Sequence, residues 1–400
     1  MGQVLLGTNI KSYREGNTRH ITLVLTEECN MRCTYCYEVN KNSDHVMPRE
    51  VAYRAIDFFL TQPCNYPAVV VEFIGGEPTL EMGLINDIVR YFKKEVNRLE
   101  YHPWRSAHLF FIGTNGTTYC SEQLQKFLWE NHYHAQVSIS LDGTKRKHDM
   151  HRIFKNGKGS YDIVAENAKL WIKQYPFASS KVTFASDDLP YTCESIVHLW
   201  DMGIKTVHAN VVYEDVWKPG DPEIFESQLR HLADVALDGD YWRNCRTSLF
   251  WVPRKKEEKS NDNNWCGTGK MVAVDSSGNL YPCLRFMDYS LSNPSRFSRP
   301  LGTIYDGFDQ DKLRAYHCLR KSLQSSKECL ECHMEKICGW CTALNYDAAD
   351  SDTIFQRATY KCEMHKAQWR ANQYYWEQLE QRYGIVPDMI ENDIGPLCTC

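Results

Sequence analysis

The stretch Thr26-Glu27-Glu28-Cys29-Asn30-Met31-Arg32-Cys33-Thr34-Tyr35-Cys36-Tyr37-Glu38 decides how the chain is read. It follows directly on the apolar run ITLVL (21–25), and its three cysteines are spaced C-x3-C-x2-C. A loop this short can wrap three thiolates around the corners of one cubane iron–sulfur cluster and leave the fourth iron without a protein ligand. The competing reading is a structural zinc site, which wants four ligands. No fourth ligand is close by in sequence, although His45 could reach.

Outward from that loop, apolar runs alternate with amphipathic stretches as far as about residue 210. The runs cover 21–25, 68–74, 108–113, 136–141, 181–185 and 205–211. VVVEFIG (69–75) is apolar at nearly every position, as in strands buried on both faces. Helical patterns lie near 48–60, 82–98, 121–131, 161–174 and 191–202, with Pro48 suited to a first helical position. Strands joined by helices imply a parallel sheet. Six such units fall short of the eight of a closed barrel, so the expected fold class is α/β, a partial (β/α)6 TIM-like barrel with its chemistry at the C-terminal strand ends. The rhythm breaks after 212, and PRKKEEKSNDNN (253–264) reads as a solvated loop. A small cysteine-rich domain follows, then a helix over 364–383 whose stripe Trp369, Trp376, Leu379 and Tyr383 suits docking on a core. The expected domains are 1–240, 241–365 and 366–400, with a loosely ordered tail after Pro387.

The C-x3-C-x2-C loop after the first strand, with Tyr35 before its last cysteine, resembles the radical S-adenosylmethionine (SAM) superfamily. The resemblance continues over roughly 20–210. Gly75-Gly76-Glu77-Pro78 stands at the end of the second run, where that family lays backbone carbonyls and an acidic side chain against the SAM amino group. Thr114-Asn115-Gly116 ends the third run, and Ser138-Ile139-Ser140-Leu141-Asp142-Gly143 the fourth. The resemblance implies that the latter positions line the SAM ribose and that Arg152 pairs with the SAM carboxylate through its bidentate fork. It also implies cluster ligation by Cys29, Cys33 and Cys36 and reductive cleavage of SAM to a 5′-deoxyadenosyl radical. Taken singly, GGEP and TNG are ordinary turns and Arg152 a surface residue; their order along the strand ends gives them weight.

A second cysteine system spans 266–362: Cys266, Cys283, then C-x2-C-x5-C-x2-C at Cys329, Cys332, Cys338 and Cys341, then Cys362. It is similar to the SPASM-type domain, which holds two auxiliary [4Fe–4S] clusters; the usual last spacing is x3, where this chain has x2. The resemblance assigns Cys329, Cys332, Cys338 and Cys362 to the distal cluster and Cys266, Cys283 and Cys341 to the proximal one. Cys245 or a tail cysteine could complete the latter, or the site could be open. Cys64, Cys120, Cys193, Cys318, Cys398 and Cys400 have no assigned role.

The 17 cysteines are far too many for disulfide-free packing alone, and the opening MGQVLLGTNIKSYREG has no apolar core of signal-peptide length. A cytoplasmic, metal-rich enzyme is therefore expected. The net charge of -5 gives no reason to expect a nucleic-acid or membrane partner, and no apolar run approaches a membrane span. Relatives with this domain mostly act on peptides or proteins. The resemblance thus implies oxidative modification of a ribosomally made precursor peptide, by a thioether or carbon–carbon cross-link, with a flavodoxin- or ferredoxin-type electron donor. The alternative is an anaerobic sulfatase-maturating, formylglycine-forming enzyme. Against it, this chain has Leu284 and Arg285 after Cys283, where that family carries an aspartate, and it lacks that family's second cysteine soon after the position of Cys266. A multi-cluster electron carrier without catalysis is a third class, at odds with the SAM-pocket motifs.

Overall fold

In the computed structural model, the described residues are 18–63, 65–177, 179–250, 262, 268, 271–335 and 338–386. Cys64, Cys266, Cys398 and Cys400, the tail after Pro387 and, apart from Asp262, the predicted loop 253–264 lie outside them. The chain forms two compact units. The first takes the chain up to Arg32, Cys36–Ser138 and the stretch from 268 to Leu319; the second takes Cys33–Tyr35, the stretch from Ile139 to 262, and the chain from Arg320 on. The cysteine-rich segment is thus divided between the units.

The first unit is built on β1 (Thr18–Thr26), α1 (Arg49–Thr61), β2 (Ala68–Gly75), α2 (Met82–Arg98), β3 (His108–Thr114), α3 (Glu122–Glu130) and β4 (Ala135–Ile139). Its strands lie in sequence order, and β1–β2 and β2–β3 pair in parallel, Thr18 opposite Ala68 and Val69 opposite His108. Glu72, the one charge in the apolar run of β2, is satisfied across the ladder by Thr22 Oγ1 at 2.7 Å and His20 Nε2 at 3.0 Å. That pairing is why a carboxylate is tolerated in mid-strand. α2 buries Ile85, Ile88, Val89, Phe92 and Val96 along one stripe, the spacing of an amphipathic helix. Pro48 is the N-cap of α1, in extended backbone, one position earlier than its sequence predicted.

In the second unit, α4 (Lys145–His151) and α5 (Tyr161–Gln174) lead to β5 (Ser179–Phe184), α6 (Thr192–Asp201), β6 (Thr206–Val211), α7 (Asp221–Asp238) and the two-residue β7 (Arg246–Thr247). β5 and β6 pair in parallel from Ser179 opposite Thr206, and Ser140 makes a parallel bridge to Lys181. All six predicted strands are present, each followed by helix. The 18-residue α7 is the longest element the sequence reading missed. The helix Cys362–Tyr383 packs on α7, with Met364, Ala367, Ala371, Tyr375, Trp376 and Leu379 buried. Trp369 is only half-buried, and Tyr383 is 37% exposed. The stripe predicted through those two residues is therefore rotated toward the face that carries Met364, Ala367, Ala371, Tyr375 and Leu379.

Back in the first unit, β8 (Met271–Val274) runs parallel to β1 and β9 (Asn279–Tyr281) antiparallel to β8. β10 (Gly302–Thr303) and β11 (Gly307–Phe308) extend the edge. Among the described residues no helix is long and apolar enough to cross a membrane.

Candidate functional site

At the end of β2 the backbone closes against the cysteine loop. Gly76 N–H donates to Thr26 O (2.8 Å) and Glu77 N–H to Glu28 O (2.9 Å). Gly75 holds φ +137°, and a Cβ there would sit 2.0 Å from Thr26 O; at Gly76 it would sit 2.3 Å from Glu28 O. Only glycine permits this approach. Glu77 is buried and its carboxylate is turned inward: Oε1 accepts from Thr79 Oγ1 (2.6 Å) and Thr114 Oγ1 (2.7 Å), and Oε2 from Asn115 N (2.7 Å). Burial raises its pKa, and these donors work against the rise. The side chain predicted to face a ligand ammonium thus ties the end of β2 to the end of β3. Asn115 Nδ2 donates to Asn30 Oδ1 (2.8 Å) and lies 4.0 Å from Cys29 Sγ, which also faces Met31 N–H at 3.4 Å. N–H groups aimed at a cluster thiolate help set its reduction potential. Lys41 lies beside the same thiols: burial works against its ammonium, but Glu38, Cys36 and Cys29 outweigh that and raise its pKa. His45, the candidate fourth zinc ligand, is held by Glu27 Oε1 at 2.9 Å.

The second unit supplies the other half of the motif set. Ser138, within β4, is half-buried and belongs to the first unit; Ser140, just after β4, is also half-buried. Asp142, two residues on, has no exposed surface. Its Oδ2 accepts from Tyr35 Oη and from Lys147 Nζ (3.1 Å), while Oδ1 faces Arg152 Nε at 3.2 Å. Burial opposes the Asp142 carboxylate, yet Arg152 and Lys147 overcome it and hold the pKa well below the usual range. Arg152 lies over the Tyr35 ring at 5.7 Å and within electrostatic reach of Cys33. Its Nη atoms make no hydrogen bond among the described residues, so the fork stays available. Lys147, His148, His151 and Asp188 complete this cluster, and the sequence reading missed all four. A lysine and a histidine four apart on α4 read as a solvated face, and only the fold shows them buried.

The cysteine-rich segment gives a third grouping, also within the second unit. Cys338 interacts electrostatically with Cys329 and Cys332, and Cys362 with Cys338 and Cys329. Arg357 Nη2 donates to Cys338 Sγ (2.8 Å), and its guanidinium lies over Trp340 at 4.5 Å. The cavity here is lined by Cys338, Cys341, Arg357, Lys361, Cys362 and His365, among others. Four thiols beside two cations suit an anionic cluster. Cys341 Sγ accepts from Leu344 N–H (3.5 Å) at a helix start. Cys283 is buried in the first unit, next to Tyr289. Among the described residues, the charged neighbours of Cys245 are Lys205, Arg246 and Asp201.

The chain thus carries parallel β/α units with a three-cysteine loop after the first strand, a glycine cradle in the first unit and an arginine with an open fork in the second. The Radical SAM superfamily profile matches residues 23–183. An uncharacterized protein of Methanocaldococcus jannaschii is 30% identical over 267 residues, 66% of this chain and 84% of that protein. The solved structure of native anSMEcpe with bound AdoMet and Kp18Cys peptide superposes with TM-score 0.68 at 21% identity, covering 93% of this chain and 100% of that one. Streptococcus suis SuiB bound to precursor peptide SuiA gives TM-score 0.56 at 15% identity, over 87% of this chain and 77% of that one. The chain belongs to the radical SAM superfamily and is a radical SAM enzyme.

Proposed function

We propose that this enzyme matures a ribosomally made precursor peptide, modifying it oxidatively by a thioether or carbon–carbon cross-link. The observation that carries the reading is the likeness, over 93% and 87% of the chain, to two proteins solved with a peptide bound. Cys29, Cys33 and Cys36 would hold the SAM cluster. The Nη fork of Arg152 would take the SAM carboxylate, the carbonyls of Gly75 and Gly76 its amino group, and Asn115, Ser138 and Ser140 would line the pocket. Bound cluster and SAM together supply a 5′-deoxyadenosyl radical able to take hydrogen from an unactivated C–H bond. Cys329, Cys332, Cys338 and Cys362 would hold the distal cluster, and Cys266, Cys283 and Cys341 the proximal one. Two auxiliary clusters suit a reaction that must pass an electron onward, and a flavodoxin- or ferredoxin-type protein would supply the reducing electron.

Formylglycine formation fits less well. The position expected to carry a base is Leu284, 3% exposed, and Arg285 beside it lies over the Tyr37 ring at 4.7 Å. Neither side chain accepts a proton. The test is anaerobic co-expression with candidate precursor peptides followed by mass spectrometry. Each cross-link is expected to leave the product two hydrogens, about 2 Da, lighter. Steady 5′-deoxyadenosine production with every precursor mass unchanged would reject the peptide reading while leaving SAM cleavage intact.

A further inference from the structure

Lys147 has no role in the pocket described above, yet it is one of the most deeply buried charges in the second unit, with a side-chain exposure of 0%. Its ammonium donates to Asp142 Oδ2 at 3.1 Å and to Thr183 O, and makes an ion pair with Asp188 Oδ2 at 3.2 Å. An ammonium with no exposed surface cannot touch a ligand, so its effect must pass through its partners. Asp142 is equally committed, with Oδ2 on Lys147 and Tyr35 and Oδ1 on Arg152 Nε.

Arg152 is fixed at a second point. Asp142 N–H donates to His148 Nδ1 (3.2 Å), which leaves the His148 Nε2 proton for Ser160 Oγ (2.9 Å). Ser160 Oγ then donates to Arg152 O (2.8 Å). Both the backbone and the Nε of Arg152 are therefore held, and only its two Nη groups remain open. The far end of the chain, Asp188, meets His151 Nε2 at 3.2 Å, and His151 Nδ1 meets Thr34 Oγ1 at 2.5 Å.

We infer that Lys147 and Asp188 are positioning residues for SAM. They fix the Asp142 carboxylate, Asp142 fixes Arg152, and the open Nη fork of Arg152 is thereby aimed at the SAM carboxylate. The inference rests on the reading of Arg152 as the carboxylate grip. It moves Asp142 from the ribose wall, where the sequence placed it, to a charge that acts on the ligand only through Arg152. Four buried charges of alternating sign, Asp188, Lys147, Asp142 and Arg152, cancel one another, so the fork is rigid without being neutralised at its ligand end.

The test compares SAM with decarboxylated SAM on cluster-loaded protein, by equilibrium dialysis and by the ligand-induced change in the EPR signal of the reduced cluster. Asp142→Asn should weaken SAM binding about tenfold, the loss of one well-aimed charged hydrogen bond, with iron content and decarboxylated-SAM affinity unchanged. The paired variant Lys147→Met/Asp188→Asn, which removes one charge of each sign, should behave alike. On an Arg152→Ala background Asp142→Asn should add nothing, the non-additivity of residues acting through one contact. Equal weakening of both ligands, or full additivity with Arg152→Ala, would mean that Asp142 touches SAM elsewhere and would overturn the inference. Loss of iron in both variants would overturn it too, reducing the network to structural support. If the wild-type protein does not distinguish the two ligands, the fault lies with the Arg152 grip itself and not with the residues behind it.

Discussion

His108 sits near the start of β3 with little exposed surface, its ring stacked on His134 at 4.0 Å between centroids. Its Nδ1 is 2.7 Å from Trp104 O. Burial lowers its pKa to about 4, and the His134 ring adds to the shift. A histidine depressed in the folded state contributes stability above its ordinary value near 6.5, and that stability is lost as pH falls toward about 4. Over that window the unfolded chain holds one more proton, a slope of about 1.4 kcal/mol per pH unit. Anaerobic denaturant titrations should therefore show the wild-type protein losing about 2 kcal/mol between pH 6.5 and pH 5 from this residue. His108→Phe, which keeps the stacked ring, should flatten that slope by about the same amount; an identical slope in the variant would remove His108 as its source. At the same scale Glu77 shows how a motif residue can be named from sequence while the direction of its side chain cannot. Its position beside the glycines was legible, but the direction of its carboxylate depends on Thr79, Thr114 and Asn115. The last two of these stand at the end of β3 and just after it, more than thirty residues away.

At the scale of elements, the helix Cys362–Tyr383 and α7 are joined by two kinds of contact, and they differ in worth. Leu379 is fully buried between them, whereas Arg382 bonds Asp238 (2.6 Å) and Asp234 (3.3 Å) at the exposed edge. Leu379→Ala should cost about 2–5 kcal/mol, the transfer term plus a cavity. Arg382→Ala should cost under about 1 kcal/mol, since exposed ion pairs are screened and lose side-chain entropy. Thermal unfolding of both variants checks the ranking, and equal losses would show that the ion pairs carry the interface. The helix itself was legible because its apolar residues recur at helical spacing. α7 was not, because its buried residues Phe225, Leu229, Leu232, Ala233 and Ala236 lie among seven charged or histidine side chains that dilute the pattern. The six barrel strands were legible for the opposite reason: β-branched and aromatic runs such as VVVEFIG admit few alternatives. What sequence could not supply was the charge chain on α4. Lys147 gives no sign of burial until Asp188, from the loop after β5, is brought against it.

At the scale of the whole molecule, the cysteines set the count of electron carriers. On the proposed assignment, Cys29, Cys33 and Cys36 would hold one cluster, Cys329, Cys332, Cys338 and Cys362 a second, and Cys266, Cys283 and Cys341 a third. Reconstituted protein should therefore carry about 12 irons, three cubanes of four. The cysteine groups make different demands on that total. Replacing Cys29, Cys33 and Cys36 together by alanine should leave about 8 irons and abolish SAM cleavage, because the only cluster with an iron open to SAM is gone. Replacing Cys329, Cys332, Cys338 and Cys362 should also leave about 8 irons, but 5′-deoxyadenosine should still form, since the SAM cluster and the Arg152 fork are untouched. Precursor turnover should fail in that variant, as the route onward for the electron is broken. Cys245→Ala should keep the full complement, because the groups that act on that thiol among the described residues are Lys205, Arg246 and Asp201. Iron and sulfide analysis beside chromatographic assay of 5′-deoxyadenosine reads all three variants at once. Continued 5′-deoxyadenosine formation by the first would sink the assignment of the SAM cluster, and a loss of four irons in Cys245→Ala would make it the fourth ligand of the proximal one.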